Sequence, residues 1–205
     1  MSNATKKSSG KVLASVALLA AAAGVAGLGT FGSFTSTTSA SESVGTGTVK
    51  VDLGASGAAN RLSVAATGLV PGDTVQRAVN LTNNGNQDLS TVTLTTAPTT
   101  SSKLDTDATN GLQVLIESCP SAWTEAGTAP AYTYTCGGVV KTVLASKGIV
   151  GANQVLSNLQ ALTSTKTDYL RVTVTLPAAA DNTFQGLSSV IGFDFTGTQR
   201  TATNK

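Results

Sequence analysis

Apolar and polar residues alternate along most of this chain, and a period of two predicts strands. In residues 48–53, Val49, Val51 and Leu53 alternate with Thr48, Lys50 and Asp52, and Leu62, Val64 and Ala66 repeat the pattern before Gly68. The stretch 69–94 is built on two turn signals. Pro71 presets φ and Gly72 accepts the positive φ that a type II turn needs next, so Pro71, Gly72 and Asp73 predict a structural turn. A strand follows with Val75, Val79 and Leu81 on one face, Arg77 as the polar exception, and Gln76, Asn80 and Thr82 on the other. Asn83, Asn84 and Gly85 tolerate left-handed φ, and residues 90–94 alternate again, which is a hairpin signal. The turn is the firm part of that reading. The pairing is provisional, because residues 83–87 could as well cross between two sheets.

Pro98 and the Thr-Thr-Ser-Ser run after it predict a loop. Leu112, Val114 and Ile116 form the inward set of another strand, closed by Cys119-Pro120, and residues 131–136 are its expected partner, with Tyr132 and Tyr134 on one face. Residues 151–163 predict a helix, because Val155, Leu156, Leu159 and Leu162 recur at three and four residues and Asn153 is placed to cap it. Leu170, Val172, Val174 and Leu176 alternate with Arg171, Thr173 and Thr175 until Pro177 withholds its N–H. Ile191, Phe193 and Phe195 oppose Gly192 and Asp194 in a last strand over 189–196, with a frayed polar tail from Gly197. About eight strands at this spacing predict an all-β fold, a two-sheet β-sandwich of jelly-roll or Greek-key type with one short covering helix.

The N-terminus departs from this pattern. Residues 1–11 carry Lys6, Lys7 and Lys11 and no acid, and residues 12–28 hold no charge at all, the form of a signal peptide. A membrane-spanning helix is the competing reading, but at ~1.5 Å per residue the run reaches about 26 Å, short of a ~30 Å hydrocarbon core. Small residues follow, and cleavage is expected between Gly32 and Ser33, with Ala40 as the second choice. Residues 33–44 are then hydroxyl-rich, with too little apolar surface to offset their ordering entropy. The expected organisation is a signal peptide at 1–32, a flexible segment at 33–47, a sandwich domain at 48–197 and a disordered tail at 198–205.

Charge and composition narrow the chemistry. Charged residues make up 12% and the net charge is only +2, so no basic surface for nucleic acid is expected. The chain has no His, which removes the commonest general base and the usual zinc ligand. Its 2 cysteines, Cys119 and Cys136, are most simply a disulfide in an exported protein, stabilising the fold by roughly 3 kcal/mol in the chain-entropy model. Of carboxylates that could serve a metal there are Asp105, Asp107, Glu117 and Glu125, with no HExxH pattern. Asp105, Asp107, Asn110 and Gly111 faintly resemble a calcium loop, but the glycine is displaced and no Glu closes it, so an Asx-rich turn is expected. No nucleophile elbow or activating base accompanies the serines and threonines. Trp123 and the tyrosines are expected to pack around the disulfide, the other use being a surface patch for carbohydrate or a partner. No catalytic residue, metal site or cofactor is therefore expected.

Four segments resemble the TasA/camelysin family of secreted biofilm-matrix and cell-surface proteins of Gram-positive bacteria. Residues 29–34, GTFGSF, resemble the signal-peptide end processed by a SipW-type signal peptidase, and residues 47–53, GTVKVDL, the family's first core strand. Residues 69–73 with the Asn83-Asn84-Gly85 turn are the most distinctive match, and residues 182–186 running into Phe193-Asp194-Phe195 resemble the closing strand. Residues 98–167 look like a divergent insert. The resemblance implies a jelly-roll subunit whose mature N-terminal segment, here Phe34, Thr35, Thr37, Ser39, Ser41 and Val44, inserts as a strand into the next copy to build fibres, with an accessory minor subunit as a further partner. Some members are described as metallopeptidases, an activity for which this chain offers no ligand set. The alternative is a monomeric Ig-like surface or adhesion module that binds a ligand through the insert.

Overall fold

A computed structural model describes residues 35–38, 51–53, 62 and 64–201, the strands at 35–38 and 64–67 by their backbone. All of these fall within Ser33–Lys205, the second of the two units into which the chain divides. The cleavage residues Gly32 and Ser33, the uncharged run 12–28, and Phe34, Ser39, Ser41 and Val44 lie outside the described residues.

Two antiparallel sheets face each other across one core. In the first, β1 (Thr35–Thr38) and β3 (Val64–Thr67) both pair with β12 (Ser188–Gln199), followed by β5 (Leu89–Thr100) and β10 (Gly151–Val155). The second runs β2 (Val51–Asp52), β4 (Thr74–Asn83), β11 (Thr167–Thr175), β6 (Gln113–Cys119) and β9 (Lys141–Gly148). A two-stranded hairpin, β7 (Thr124–Thr128) and β8 (Ala131–Thr135), stands apart from both. The alternating residues form the core: Val92, Leu94, Phe193 and Phe195 from the first sheet meet Val79, Leu81, Val114, Ile116, Leu170, Val172 and Val174 from the second. This is the all-β sandwich that the period-two pattern predicts.

The turn before β4 forms as its residues require. Gly72 takes φ 97°, and Asp73 N–H donates to Val70 O at 3.0 Å while the Asp73 carboxylate accepts from Val70 N–H at 2.9 Å. The provisional hairpin does not form: β4 and β5 belong to different sheets. Asn83 explains the crossing. Its fully buried side chain accepts from Gly85 N–H at 2.9 Å and donates to Gln87 O at 3.0 Å, while its backbone is bonded to Thr165 and Lys166. The chain is thus turned across the sandwich at Asn83–Gly85 and cannot fold back on β4.

Three further expectations are corrected. Residues 131–136 do not pair with β6, whose two sides are taken by β11 and β9; β8 pairs with β7 instead. The disulfide between Cys119 and Cys136, with Cα atoms 5.7 Å apart, brings the strand ends together without a ladder between them. Residues 151–163 form no helix. Gly151–Val155 supplies the edge strand β10 on β5, Asn153 has φ 50° where an N-cap would be extended, and Val155 is 63% exposed. Leu156 and Leu159 reach the core from the turns that follow, which imitate helical spacing. Pro98 is not in a loop but inside β5, opposite Ile191 and beside a bulge, a position where a strand tolerates the missing N–H.

Pattern reading also passes over β9 and a one-turn helix, α1 (Lys103–Thr106). Ser102 and Asp105 cap α1 reciprocally, the S-x-x-D signature of a capping box. Residues 98–167 are built into both sheets through β6, β9 and β10, and only the β7–β8 hairpin joins neither ladder. The last strand runs on to Gln199, three residues into the expected tail. No helix among the described residues is long and apolar enough to cross a membrane.

Asp168 holds the turns after β10 in place. Its carboxylate, 1% exposed, accepts from Gln160 N–H at 3.0 Å and Ala161 N–H at 2.7 Å. Burial pushes its carboxyl above the usual carboxylate range, against the two N–H bonds and nearby Lys141 that favour the charge. A raised folded-state pKa means a contribution to stability that is full below the unfolded value and lost as pH rises through the folded one. Urea unfolding of wild type and Asp168→Asn at pH 7, 5.5 and 4 is therefore expected to show wild type gaining on the variant as pH falls. A gap that stays flat or narrows would contradict this.

Candidate functional site

The described residues present two kinds of candidate: side-chain chemistry and sheet edges. The carboxylates named from the sequence do not converge. Asp105 is buried and accepts from Ser101 Oγ at 2.7 Å, Ser102 N–H at 2.7 Å and Ser189 Oγ at 2.6 Å. Burial pushes its carboxyl up, but those hydrogen bonds together outweigh it and hold the group below the ordinary value. Asp107 accepts from Thr109 and Asn110 N–H, an Asx turn, and these bonds lower its pKa. Glu117 pairs with Arg171 at 2.6 Å and Glu125 accepts from Tyr134 Oη at 2.8 Å. Each acid has its own structural partner.

A cleft of about 380 Å³ opens beside α1, lined by Pro98, Asp105, Gly148 and Ile149 among others. The one carboxylate on it accepts from serine hydroxyls and is held below the ordinary carboxylate range, which makes it a poor base for activating them. No group of three or more His, Cys, Asp or Glu among the described residues is placed to hold a metal ion.

Trp123 and the tyrosines are consumed in packing the hairpin. Arg171, on the outer face of β11, stacks its guanidinium 4.4 Å from the Trp123 ring, donates to Tyr134 O at 3.0 Å and pairs with Glu117. Trp123 Nε1–H donates to Tyr169 O at 2.9 Å, and Arg77 lies 5.5 Å from the Tyr132 ring while donating to Pro130 O at 3.2 Å. These contacts clamp β7–β8 onto the second sheet.

The edges are more informative. At one side of the sandwich β9 carries exposed Lys141 and Lys147 and two register shifts, and β10 carries a bulge and the left-handed Asn153. Charge and irregularity of this kind block further strand pairing. At the other side stand β1 and β2, consecutive in the chain and one in each sheet. β1 pairs with Phe195–Thr198 of β12 in the register Thr35 to Thr198, Ser36 to Gly197, Thr37 to Thr196 and Thr38 to Phe195. Of the six residues predicted for the assembly segment, Thr35 and Thr37 are thus placed on a sheet edge.

One residue of this surface had no sequence signal. Gly197 of β12 stands opposite Ser36, and a Cβ there would meet Val51 Cγ2 at 2.5 Å and Leu89 Cδ1 at 3.2 Å, so side chains of β2 and β5 fill its place. A glycine inside a strand marks such close approach, but not which neighbour makes it. Residues 74–81 of β4 are also unpaired by any described strand on the side away from β11, with the β7–β8 hairpin beside them through Tyr134 N–H to Gln76 Oε1 at 3.3 Å.

Comparison with known proteins bears on both candidates. No curated protein matches the chain. A family model described as camelysin metallo-endopeptidase matches residues 6–117, from the lysine-rich N-terminus into β6. The peptidase in that description needs about three metal ligands, and here the chain has no His, both cysteines are joined and the described carboxylates are dispersed, so the residues do not fit such a centre. The match covers more than half of the sequence and the fold is the expected sandwich: the chain belongs to the camelysin family.

Proposed function

We propose that this protein is a secreted structural subunit that assembles into extracellular or cell-surface fibres by exchanging its N-terminal strand between copies. The observation that carries this reading is β1, a four-residue strand that among the described strands pairs only with β12, and that is separated from β2 by residues 39–50. Such a strand is the kind of element that β-strand addition uses, since its backbone supplies the bonds and its neighbours need not reorganise. Family membership supports a secreted or cell-surface location. The blocked edges at β9 and β10 favour growth through the opposite side. Separation from a leader at Gly32 by a SipW-type peptidase would free this segment, and a minor accessory subunit would start or anchor a fibre.

The experiment uses a chain beginning at Ser33, which comprises the whole second unit and its core. Incubated and viewed by negative-stain electron microscopy, it is expected to form fibres of uniform width. A stable monomer that binds cells or glycans would favour the surface-module reading instead.

A further inference from the structure

We propose that the cleft beside α1 is a binding site for a primary alkylammonium group, whose charge pairs with Asp105 and whose hydrocarbon stem lies along the cleft wall. This goes beyond the fibre reading and does not depend on it. The starting point is a buried charge without a counter-charge. Asp105 is 7% exposed, and the groups that bond its carboxylate are all neutral: Ser101 Oγ donates to Oδ1, and Ser102 N–H and Ser189 Oγ donate to Oδ2. Among the described residues no lysine or arginine pairs with it. Lys103, two residues away, is turned elsewhere, with Nζ 4.3 Å from the centre of the Phe184 ring and 3.9 Å from Asp181. The hydrogen bonds hold the Asp105 carboxyl below its ordinary range, so it is charged at neutral pH. Buried charges in proteins are normally paired, and this one lacks its cation.

The open acceptor position is on the cleft side. A carboxylate offers about four such positions, of which Oδ2 has filled its share with two donors while Oδ1 has taken only Ser101. Ser101 and Asp105 both line the cleft, whereas Ser102 and Ser189, which hold Oδ2, are not among its lining residues. What remains free is therefore the side of Oδ1 next to Ser101.

The rest of the wall decides which cation fits. Pro98, Ala108, Ile149 and Val150 give it apolar surface, and Val150 is 45% exposed. A hard divalent ion takes ~6–8 oxygen ligands, more than one carboxylate and its serines supply. An alkylammonium asks for a carboxylate, a neighbouring hydroxyl and apolar surface for its methylenes, and all three are here. At about 380 Å³ the cleft is near the small end of the ~300–1,000 Å³ typical of ligand pockets, which suits a stem of about four or five carbons.

The test is an NMR titration of the isotope-labelled chain beginning at Ser33 with n-butylammonium chloride. Saturable amide shifts centred on Asp105, Ala108 and Ile149 are expected, with Kd of about 1–10 mM, the range open to so small a ligand. n-Butanol, which has the stem without the charge, is expected to bind at least ~tenfold more weakly. Sodium butyrate and sodium chloride at the same ionic strength are expected to give no saturable shift. Asp105→Asn should weaken binding at least ~tenfold. Because that carboxylate also caps α1, a second variant leaves its bonds intact: Ala108→Leu fills the cleft from an exposed position and is expected to abolish binding. Shifts that do not saturate by about 100 mM, far above that range, the same shifts from sodium chloride, or binding undiminished in either variant would overturn the proposal. Nα-acetyl-lysine methylamide then distinguishes the source of the group. Binding equal to that of butylammonium assigns the cleft to a lysine side chain, and binding of butylammonium alone assigns it to a free amine.

Discussion

Phe195→Ala is expected to destabilise the folded domain by about 3–5 kcal/mol, the range for removing a buried aromatic side chain. Phe195 has no exposed surface and is among the largest fully buried residues. It also sits where three strands meet, opposite Leu94 of β5 on one side and Thr38 of β1 on the other. The surrounding sheets are fixed by their ladders, so the cavity cannot collapse. At roughly 2–4 °C per kcal/mol for a domain of this size, Tm should fall on the order of 10 °C. Urea unfolding checks the free energy, and a loss under about 1.5 kcal/mol would mean that the two sheets do not close over this residue.

The second large effect lies outside the main core. Arg171→Ala removes the cation from a cluster in which the Arg171 and Glu117 side chains are only 19% and 18% exposed. Glu117 would keep its charge in a poorly hydrated position, Tyr134 O would lose a donor, and Trp123 would lose the face it stacks on. Breaking one partner out of a fully buried pair costs about 3–5 kcal/mol, and the remaining exposure lowers the expectation to about 2–3 kcal/mol. Because the cluster clamps β7–β8, the variant should also be cut by protease within residues 124–135 before the sandwich unfolds, with a shift in Trp123 fluorescence. Arg171→Met with Glu117→Met should recover much of the loss. A double variant as unstable as the single one would show that the stranded charge is not the cause.

Much of the fold is legible in the sequence wherever one face of a strand is buried and the other is not. Leu170, Val172 and Val174, Val114 and Ile116, and Ile191, Phe193 and Phe195 alternate along strands with those residues inward, and Leu112 and Leu176 are buried directly beside the ends of β6 and β11. Legibility fails where tertiary contacts set the local structure. The leucines of 156–162 sit in turns pinned by Asp168, a bond no local pattern reveals. β9 goes unseen because its buried residues, Val143 and Leu144, are adjacent, the result of the register shifts against β6. Asn83-Asn84-Gly85 signals a reversal, but its direction is decided by which sheet has room for β5.

The candidate site is legible to a different degree. The absence of His is visible at once and bears directly on the metal chemistry in the family's description. The polar segment after Gly32 is visible as a stretch that cannot fold alone. Its pairing with Phe195–Thr198 of β12 is not, since no local pattern joins two segments from opposite ends of the sequence. Chain order alone cannot say which of several edges a four-residue strand will take.

The central claim is that the N-terminal strand joins one copy to the next, and deleting residues 33–44 tests it most directly. A chain beginning at Gly45 keeps β2 to β12 and every residue of the core. By circular dichroism and sedimentation it is expected to be a folded β-rich monomer, and by electron microscopy to give no fibres under conditions where the chain beginning at Ser33 does. Fibres from the shortened chain would contradict the account.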